Sequence, residues 1–121
     1  MNVFLLDQSE RMHMESSHRG YRNDVYVEYN DHFFHLVAYD IVRLKQDFEH
    51  EVAEQGYFNI DVNIILVQQV TTQAIVNTIF KLDQSFFSKI KPLEDDMVSE
   101  SEGVQYIDDF IWGRNQLYKV N

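Results

Sequence analysis

The histidines are the first residues of this chain to examine for chemistry. His32 and His35 are three positions apart in a stretch with strand character, so they point to opposite faces and cannot share a metal ion. His13 and His18 lie in a polar N-terminal segment, and His50 falls on the polar side of a predicted helix. No HExxH motif or Cys/His ligand spacing occurs. We therefore expect hydrogen-bonded or solvated histidines, with no metal site and no cofactor.

The carboxylates are more informative because they are unevenly distributed. The chain has 20 Asp and Glu against 10 Lys and Arg, a net charge of −10, and between Pro92 and Gly113 it has seven acids and no Lys or Arg. Such a surface repels nucleic acid and anionic lipid and attracts a basic partner. Trp is enriched at the energetic centres of interfaces. The predicted partner-binding residues are Glu94, Asp95, Asp96, Glu100, Glu102, Asp108, Asp109 and Trp112.

Other sites are disfavoured by spacing. The acidic residues lack the EF-hand pattern, and adjacent carboxylates in a loop do not supply the cleft of a glycosidase. No GxSxG motif occurs, and the glycines at 20, 56, 103 and 113 are too scattered to cradle a phosphate. Arg19 and Arg22, with Tyr21, could hold an anion, but the net charge opposes it. A solvated acidic loop remains the plain alternative for the carboxylates.

Length and composition predict one domain, residues 1–121. The chain has no cysteine, which excludes disulfides and thiolate chemistry and fits a reducing compartment. Its start lacks the basic and apolar regions of a signal peptide, and no apolar run approaches the roughly 20 residues of a membrane span. We expect a soluble, cytoplasmic protein.

Strand patterns frame the predicted sheet. Residues 2–6 form a short strand, residues 7–22 are irregular, and two alternating runs around Asn30-Asp31 predict a β-hairpin. A further strand is expected from Asn63 to Val70, and another at 116–120. Residues 93–103 are predicted to be an acidic loop.

Two helices complete the prediction. Asp40 caps the first, whose apolar stripe is Ile41, Leu44, Phe48 and Val52, with Gly56 past its end. Thr71 or Thr72 caps the second, which runs to Pro92 with Ile75, Ile79, Leu82, Phe86 and Ile90 on its apolar face. The fold class is α+β: a mainly antiparallel sheet of four to five strands with two helices on one face. Replacing Phe48 or Ile79 by Ala is expected to cost about 2–5 kcal/mol.

The chain resembles, as a class, the small acidic immunity proteins of bacterial toxin–immunity systems, including contact-dependent inhibition. The resemblance covers size, acidity, lack of cysteine and the α+β pattern, and the stretch YRNDVYVEYNDHFFHLVAYDIVRLKQDFEHEV is similar in style to small bacterial proteins. It implies a cytoplasmic protein without catalysis that binds and neutralises a basic toxin, such as a nuclease. No functional positions carry over, because such families share almost no residues.

Two alternatives stay open. The first is a small enzyme or ligand-binding domain with a pocket between sheet and helices, for which His35, Tyr39, Asp40 and Glu28 are the candidate residues. The second is a phage-encoded inhibitor or a homo-oligomer subunit, including a homodimer, that uses the hairpin edge. The acidic face of the first helix is also an alternative contact surface to the acidic loop.

Overall fold

The computed structural model describes residues 1–5, 9–93 and 118–119. Within these ranges the strands are β1 (Asn2–Leu5), β2 (Tyr21–Tyr29), β3 (His32–Tyr39), β4 (Ile64–Leu66) and β5 (Tyr118–Lys119). The helices are α1 (Glu10–Arg19), α2 (Ile41–Gln55), α3 (Thr72–Ile79) and α4 (Gln84–Phe87). The predicted α+β class is confirmed, with four described helices instead of two.

The five strands form one mixed sheet in the order β4-β3-β2-β1-β5. β1 pairs antiparallel with both β2 and β5, and β2 pairs antiparallel with β3. β4 is parallel to β3, so α2 is the crossover between them. The predicted hairpin is confirmed: Asn30 and Asp31 have φ values of 50° and 66°, the left-handed geometry of a tight turn.

One face of the sheet carries the core. The inward residues of the strands alternate along the chain and pack against α3, α4 and Ile90: Val3, Leu5, Val25, Val27, Phe34, Leu36, Ala38, Ile65 and Val67. From the helices, Ile75, Val76 and Ile79 of α3 and Phe87 of α4 are buried in the same cluster. The Tyr29 ring stacks on Phe87 with centroids 4.4 Å apart, which ties the hairpin to α4.

The segment 7–22, predicted to be irregular, contains α1. Ser9 Oγ accepts a hydrogen bond from the Met12 amide at 3.1 Å, and Gly20 ends the helix in the left-handed conformation. Ion pairs Arg11–Glu15 and Glu15–Arg19 run along its surface at the i, i+4 spacing. The helix lacks an apolar stripe, so hydrophobic periodicity does not predict it.

The second predicted helix is divided in two. α3 ends at Ile79, and Asp83 then takes an extended conformation and caps α4 by accepting from the Ser85 amide at 3.0 Å. Hydrogen bonds from the Ser85 hydroxyl and amide hold the pKa of Asp83 below its usual value. Short Asp side chains compete for backbone donors in this way, so a residue predicted inside a helix instead starts a new one.

The strand predicted from Asn63 to Val70 is shorter than expected. Only Ile64–Leu66 pair with β3, and the last link is the Val67 amide donating to the Tyr39 carbonyl at 2.8 Å. Ile65 and Val67 are buried, whereas Leu66 between them is exposed. The core face of this strand is therefore covered, whereas the apolar Leu66 on its other face is exposed although the sequence is apolar on both sides.

Two features require a glycine at position 20, its left-handed backbone and its close approach to Asp40. Its φ is 69°, and a Cβ there would lie 2.5 Å from both carboxylate oxygens of Asp40, the residue that caps α2. We expect Gly20→Ala to lower the free energy of unfolding by about 2–3 kcal/mol, from left-handed strain and loss of the Asp40 cap. Urea denaturation measures this loss.

Gly56 supplies the matched control for that substitution. Its φ is 88°, and no atom lies within 4 Å of the position that a Cβ would occupy. Gly56→Ala therefore carries only the conformational strain, about 1–2 kcal/mol. Equal losses for the two variants would contradict the steric coupling between Gly20 and Asp40.

Candidate protein-interaction surface

α2 packs on the sheet through a polar flank instead of its apolar stripe. The Arg43 guanidinium lies 5.1 Å from the centroid of the Tyr21 ring and pairs with Asp47 at 3.0 Å. Tyr39 donates a hydrogen bond to Asp47, and its ring meets that of Tyr21 at a centroid distance of 5.2 Å. Tyr39 alternates with the core residues of β3, so α2 lies against the sheet face opposite α3, and the two predicted helices do not share one face as expected.

Half of the predicted apolar stripe of α2 is exposed. The helix is capped as expected, with the Arg43 amide donating to Asp40 Oδ1 at 2.8 Å, but it contains no buried residue. Ile41 is 62% exposed and Phe48 50% exposed, whereas Leu44 and Val52 are half-buried. The expectation that Phe48 belongs to the core is wrong, because the polar contacts of Arg43 and Asp47 rotate the stripe away from the sheet.

Further apolar side chains are exposed in the loop that follows α2. The Phe58 ring meets Phe48 at a centroid distance of 6.4 Å, which links this loop to the helix. We define the α2 surface as the exposed apolar residues of helix and loop together with the exposed acids of the same segment: Ile41, Val42, Phe48, Tyr57, Ile60 and Val62, with Glu49, Glu54 and Asp61.

The charge on this segment is negative. Residues 40–63 contain six acids and two bases, Arg43 and Lys45. Arg43 is neutralised locally by Asp47, and His50 lies 3.6 Å from Glu54. The segment therefore exposes three carboxylates, of Glu49, Glu54 and Asp61, and one cation, Lys45, together with its apolar side chains. This excess of negative charge favours a partner with both apolar and cationic groups.

The pKa of Tyr39 depends on its burial and on its contact with Asp47 of α2. Burial raises the pKa of Tyr39 from 10.0 to about 12, and the hydrogen bond and charge of Asp47 act in the same direction. The unfolded chain then loses this proton at lower pH than the folded chain. This contribution to stability is therefore complete below pH 10.0 and lost as the pH rises towards about 12.

We expect Tyr39→Phe to reduce the alkaline loss of stability in that window. Thermal unfolding of both proteins between pH 9 and about 12 measures the difference. Tyr26, whose pKa is raised by burial and then by Asp24, still titrates late in the variant, so part of the loss remains. Parallel curves for the two proteins would show that the Tyr39–Asp47 contact does not hold the helix.

A groove of about 350 Å³ adjoins the α2 surface. It is lined by His35, Asp61, Asn63 and Lys91 together with Val62, Ile90 and Leu93. His35 Nε2 lies 2.5 Å from the Asn23 carbonyl oxygen, so this nitrogen carries the proton and donates. The side-chain amide of Asn63 donates to the His35 carbonyl at 3.1 Å and fixes the loop against β3. The groove has the size of a small-ligand site.

The residues proposed for an enzyme do not converge on this groove. Glu28 accepts a hydrogen bond from the Asn2 side chain, and Asp40 is occupied as the cap of α2. Tyr39 donates to Asp47. Of the four candidates only His35 lines the groove.

The predicted partner-binding residues lie outside the described residues. They are Glu94, Asp95, Asp96, Glu100, Glu102, Asp108, Asp109 and Trp112. Most of the acidic loop and of the terminal strand predicted at 116–120 also falls there, with β5 the exception.

Arg22, predicted as part of an anion site, is instead a buried structural residue. It is 3% exposed and makes two hydrogen bonds to Asp24, at 2.6 and 3.1 Å. The bulge in β2 between Arg22 and Val25 brings the two residues together. In the sequence, the polar pair Asn23-Asp24 precedes the alternating run that begins at Val25, and this break in the alternation is the signal for the ion pair.

Among residues 1–5, 9–93 and 118–119, no group of three His, Asp or Glu side chains is placed to hold a metal ion. In the same part of the chain, no helix has the length and apolar character needed to cross a membrane.

Comparison with known proteins adds no family assignment. The chain matches no protein-family model, and no curated protein or solved structure is significantly similar to it. The α2 surface therefore stands on its own geometry as the candidate site.

Proposed function

We propose that this chain is a non-enzymatic binding protein that captures and neutralises a basic protein, most specifically a toxin domain such as a nuclease. The observation that carries the proposal is the exposed apolar stripe of α2 among carboxylates. A surface helix normally turns its apolar stripe to the core. An apolar patch left exposed and rimmed by polar groups is typical of a protein-interaction site.

The net charge of −10 supports a basic partner. Complementary charge accelerates encounter by roughly tenfold to a thousandfold and disfavours binding to nucleic acid or anionic membrane. Nuclease domains carry Lys and Arg to hold phosphate, so a small acidic protein that covers those residues blocks the substrate. The class-level resemblance to bacterial immunity proteins agrees with this proposal and with a cytoplasmic location.

Affinity capture followed by reconstitution tests the function. Basic proteins retained by the immobilised chain from its host are identified, purified and mixed with it at equal concentrations. We expect one of them to form a stoichiometric complex and to lose its enzymatic or toxic activity. A set of retained proteins that are all acidic, or a basic partner whose activity is unchanged in the complex, would contradict the proposal.

The groove beside the α2 surface supports a second candidate, the binding of a small ligand. Its volume of about 350 Å³ and the presence of His35, Asp61 and Lys91 in its lining favour an anionic or hydrogen-bonding molecule. If His35→Ala inhibits the basic partner as well as the wild-type chain does, the groove has no part in protein binding. Loss of inhibition in His35→Ala would place the groove within it.

A further inference from the structure

Resting on the proposed function, we infer that the basic partner docks on the α2 surface, through an apolar segment flanked by Lys or Arg. This assigns the interface to α2 and the loop after it, and not to the acidic segment at 94–112. Four observations support the assignment: the exposed apolar residues, the local charge, the rigidity of the helix and the charge on competing occupants.

The apolar centre lies on α2 itself. Ile41 and Phe48 are exposed and seven residues apart, which places them on one side of the helix about 10 Å apart along its axis. Phe48 is half exposed and rests against Phe58, so an aromatic anchor is already held there. A partner side chain that packs there removes apolar area from water on both molecules.

The local charge selects cationic groups around that centre. Glu49, Glu54 and Asp61 are exposed on the α2 surface, whereas Arg43 is held by Asp47 and by the Tyr21 ring. Each exposed carboxylate can accept from a Lys or Arg of the partner without first breaking the Arg43–Asp47 ion pair. The partner's cations therefore meet acceptors at the rim, where they set association rate and register.

The helix is held in place before binding. Asp40 caps its first turn, Gly56 ends it, and the contacts of Tyr21 and Tyr39 fix its rotation. Ordering a flexible segment on binding weakens affinity, and a preformed helix avoids that cost. The α2 surface can therefore dock a partner without rearrangement.

The two other possible occupants carry the wrong charge. In a symmetric dimer, segment 40–63 of one copy would face segment 40–63 of the other, and each segment carries six acids and two bases. Residues 94–117 of this chain contain seven acids and only Arg114 as a base. Like charges repel at both contacts, so a basic protein is the occupant that the α2 surface favours.

The test uses a synthetic amphipathic peptide of Leu and Lys as the probe, with binding followed by chemical-shift perturbation and fluorescence anisotropy. The test variant is Glu49→Gln/Glu54→Gln. The control is Glu10→Gln/Asp31→Asn, which removes the same charge at two exposed positions elsewhere, and Asn accepts the left-handed φ of 66° at position 31. Phe48→Ser removes the aromatic anchor.

We expect perturbations centred on Ile41, Phe48 and Tyr57, and a Kd weakened about tenfold in the Glu49/Glu54 variant but less than about twofold in the control. Phe48→Ser should weaken the Kd about tenfold or more while lowering the melting temperature by only about 4 °C or less. Equal weakening by the two charge variants, or perturbations confined to residues 94–112, would overturn the assignment to α2 and leave the function standing. Absence of peptide binding at low salt would overturn the assignment to α2 and count against the proposed function. The capture experiment then tests the proposed function separately.

Discussion

Asp24→Ala is expected to lower the free energy of unfolding by about 3–5 kcal/mol, the largest loss from any single substitution considered for this chain. Arg22 is 3% exposed and makes a two-point contact with the Asp24 carboxylate at 2.6 and 3.1 Å. Removing the carboxylate takes two hydrogen bonds and a negative charge away from a buried guanidinium. A loss of this size is a large part of the roughly 5–15 kcal/mol that stabilises a typical domain.

Urea denaturation of three variants tests this pair. Asp61→Ala, which removes an exposed carboxylate, should change stability by less than about 0.5 kcal/mol. The double variant Arg22→Met/Asp24→Ala should be more stable than Asp24→Ala alone, because it also removes the buried charge that had lost the Asp24 carboxylate. Loss of less than about 1 kcal/mol in Asp24→Ala would show that water reaches Arg22 in solution.

Ile79→Ala should cost about 2–5 kcal/mol, because it empties volume at the centre of the core. Ile79 is 0% exposed and packs among the strand residues under α3. Phe48→Ala removes a larger side chain, yet it should cost no more than about 1 kcal/mol, because half of that ring is already in water. The order of the two losses is the opposite of what residue size alone predicts.

Thermal or urea unfolding of both variants checks the orientation of the helices. Equal losses would mean that Phe48 is covered in solution and that the α2 surface is not available to a partner. A stable Ile79→Ala variant would mean that α3 is misplaced on the sheet.

Elements governed by local chemistry were predictable from the sequence. The alternation in β2 and β3 and the Asn30-Asp31 turn specify the hairpin, and Asp40 and Gly56 specify the ends of α2. The period of an amphipathic helix does not, however, state what covers its apolar side. The rotation of α2 about its axis is decided by contacts among four residues, Tyr21, Tyr39, Arg43 and Asp47. These residues come from different elements of the chain, so a local pattern does not predict the contacts.

The remaining differences have the same origin. α1 has capping residues and i, i+4 ion pairs but no apolar period, so capping at Ser9 and Gly20 was the only available signal. Asp83 divides the second predicted helix because a single side chain competes for the Ser85 amide. The sequence predicts that α2 has an acidic face. It does not predict that apolar residues of α2 are exposed, because their exposure depends on tertiary contacts with the sheet.

The salt dependence of association with a purified basic partner tests the central claim most directly. Stopped-flow rates at about 50 mM and about 500 mM salt should differ by at least tenfold, because screening shortens the range over which the α2 surface attracts cations. Glu49→Gln/Glu54→Gln should lower the low-salt rate and flatten this dependence, and Glu10→Gln/Asp31→Asn should leave it nearly unchanged. A rate that is the same at both salt concentrations, in the wild-type chain and in both variants, would contradict the account.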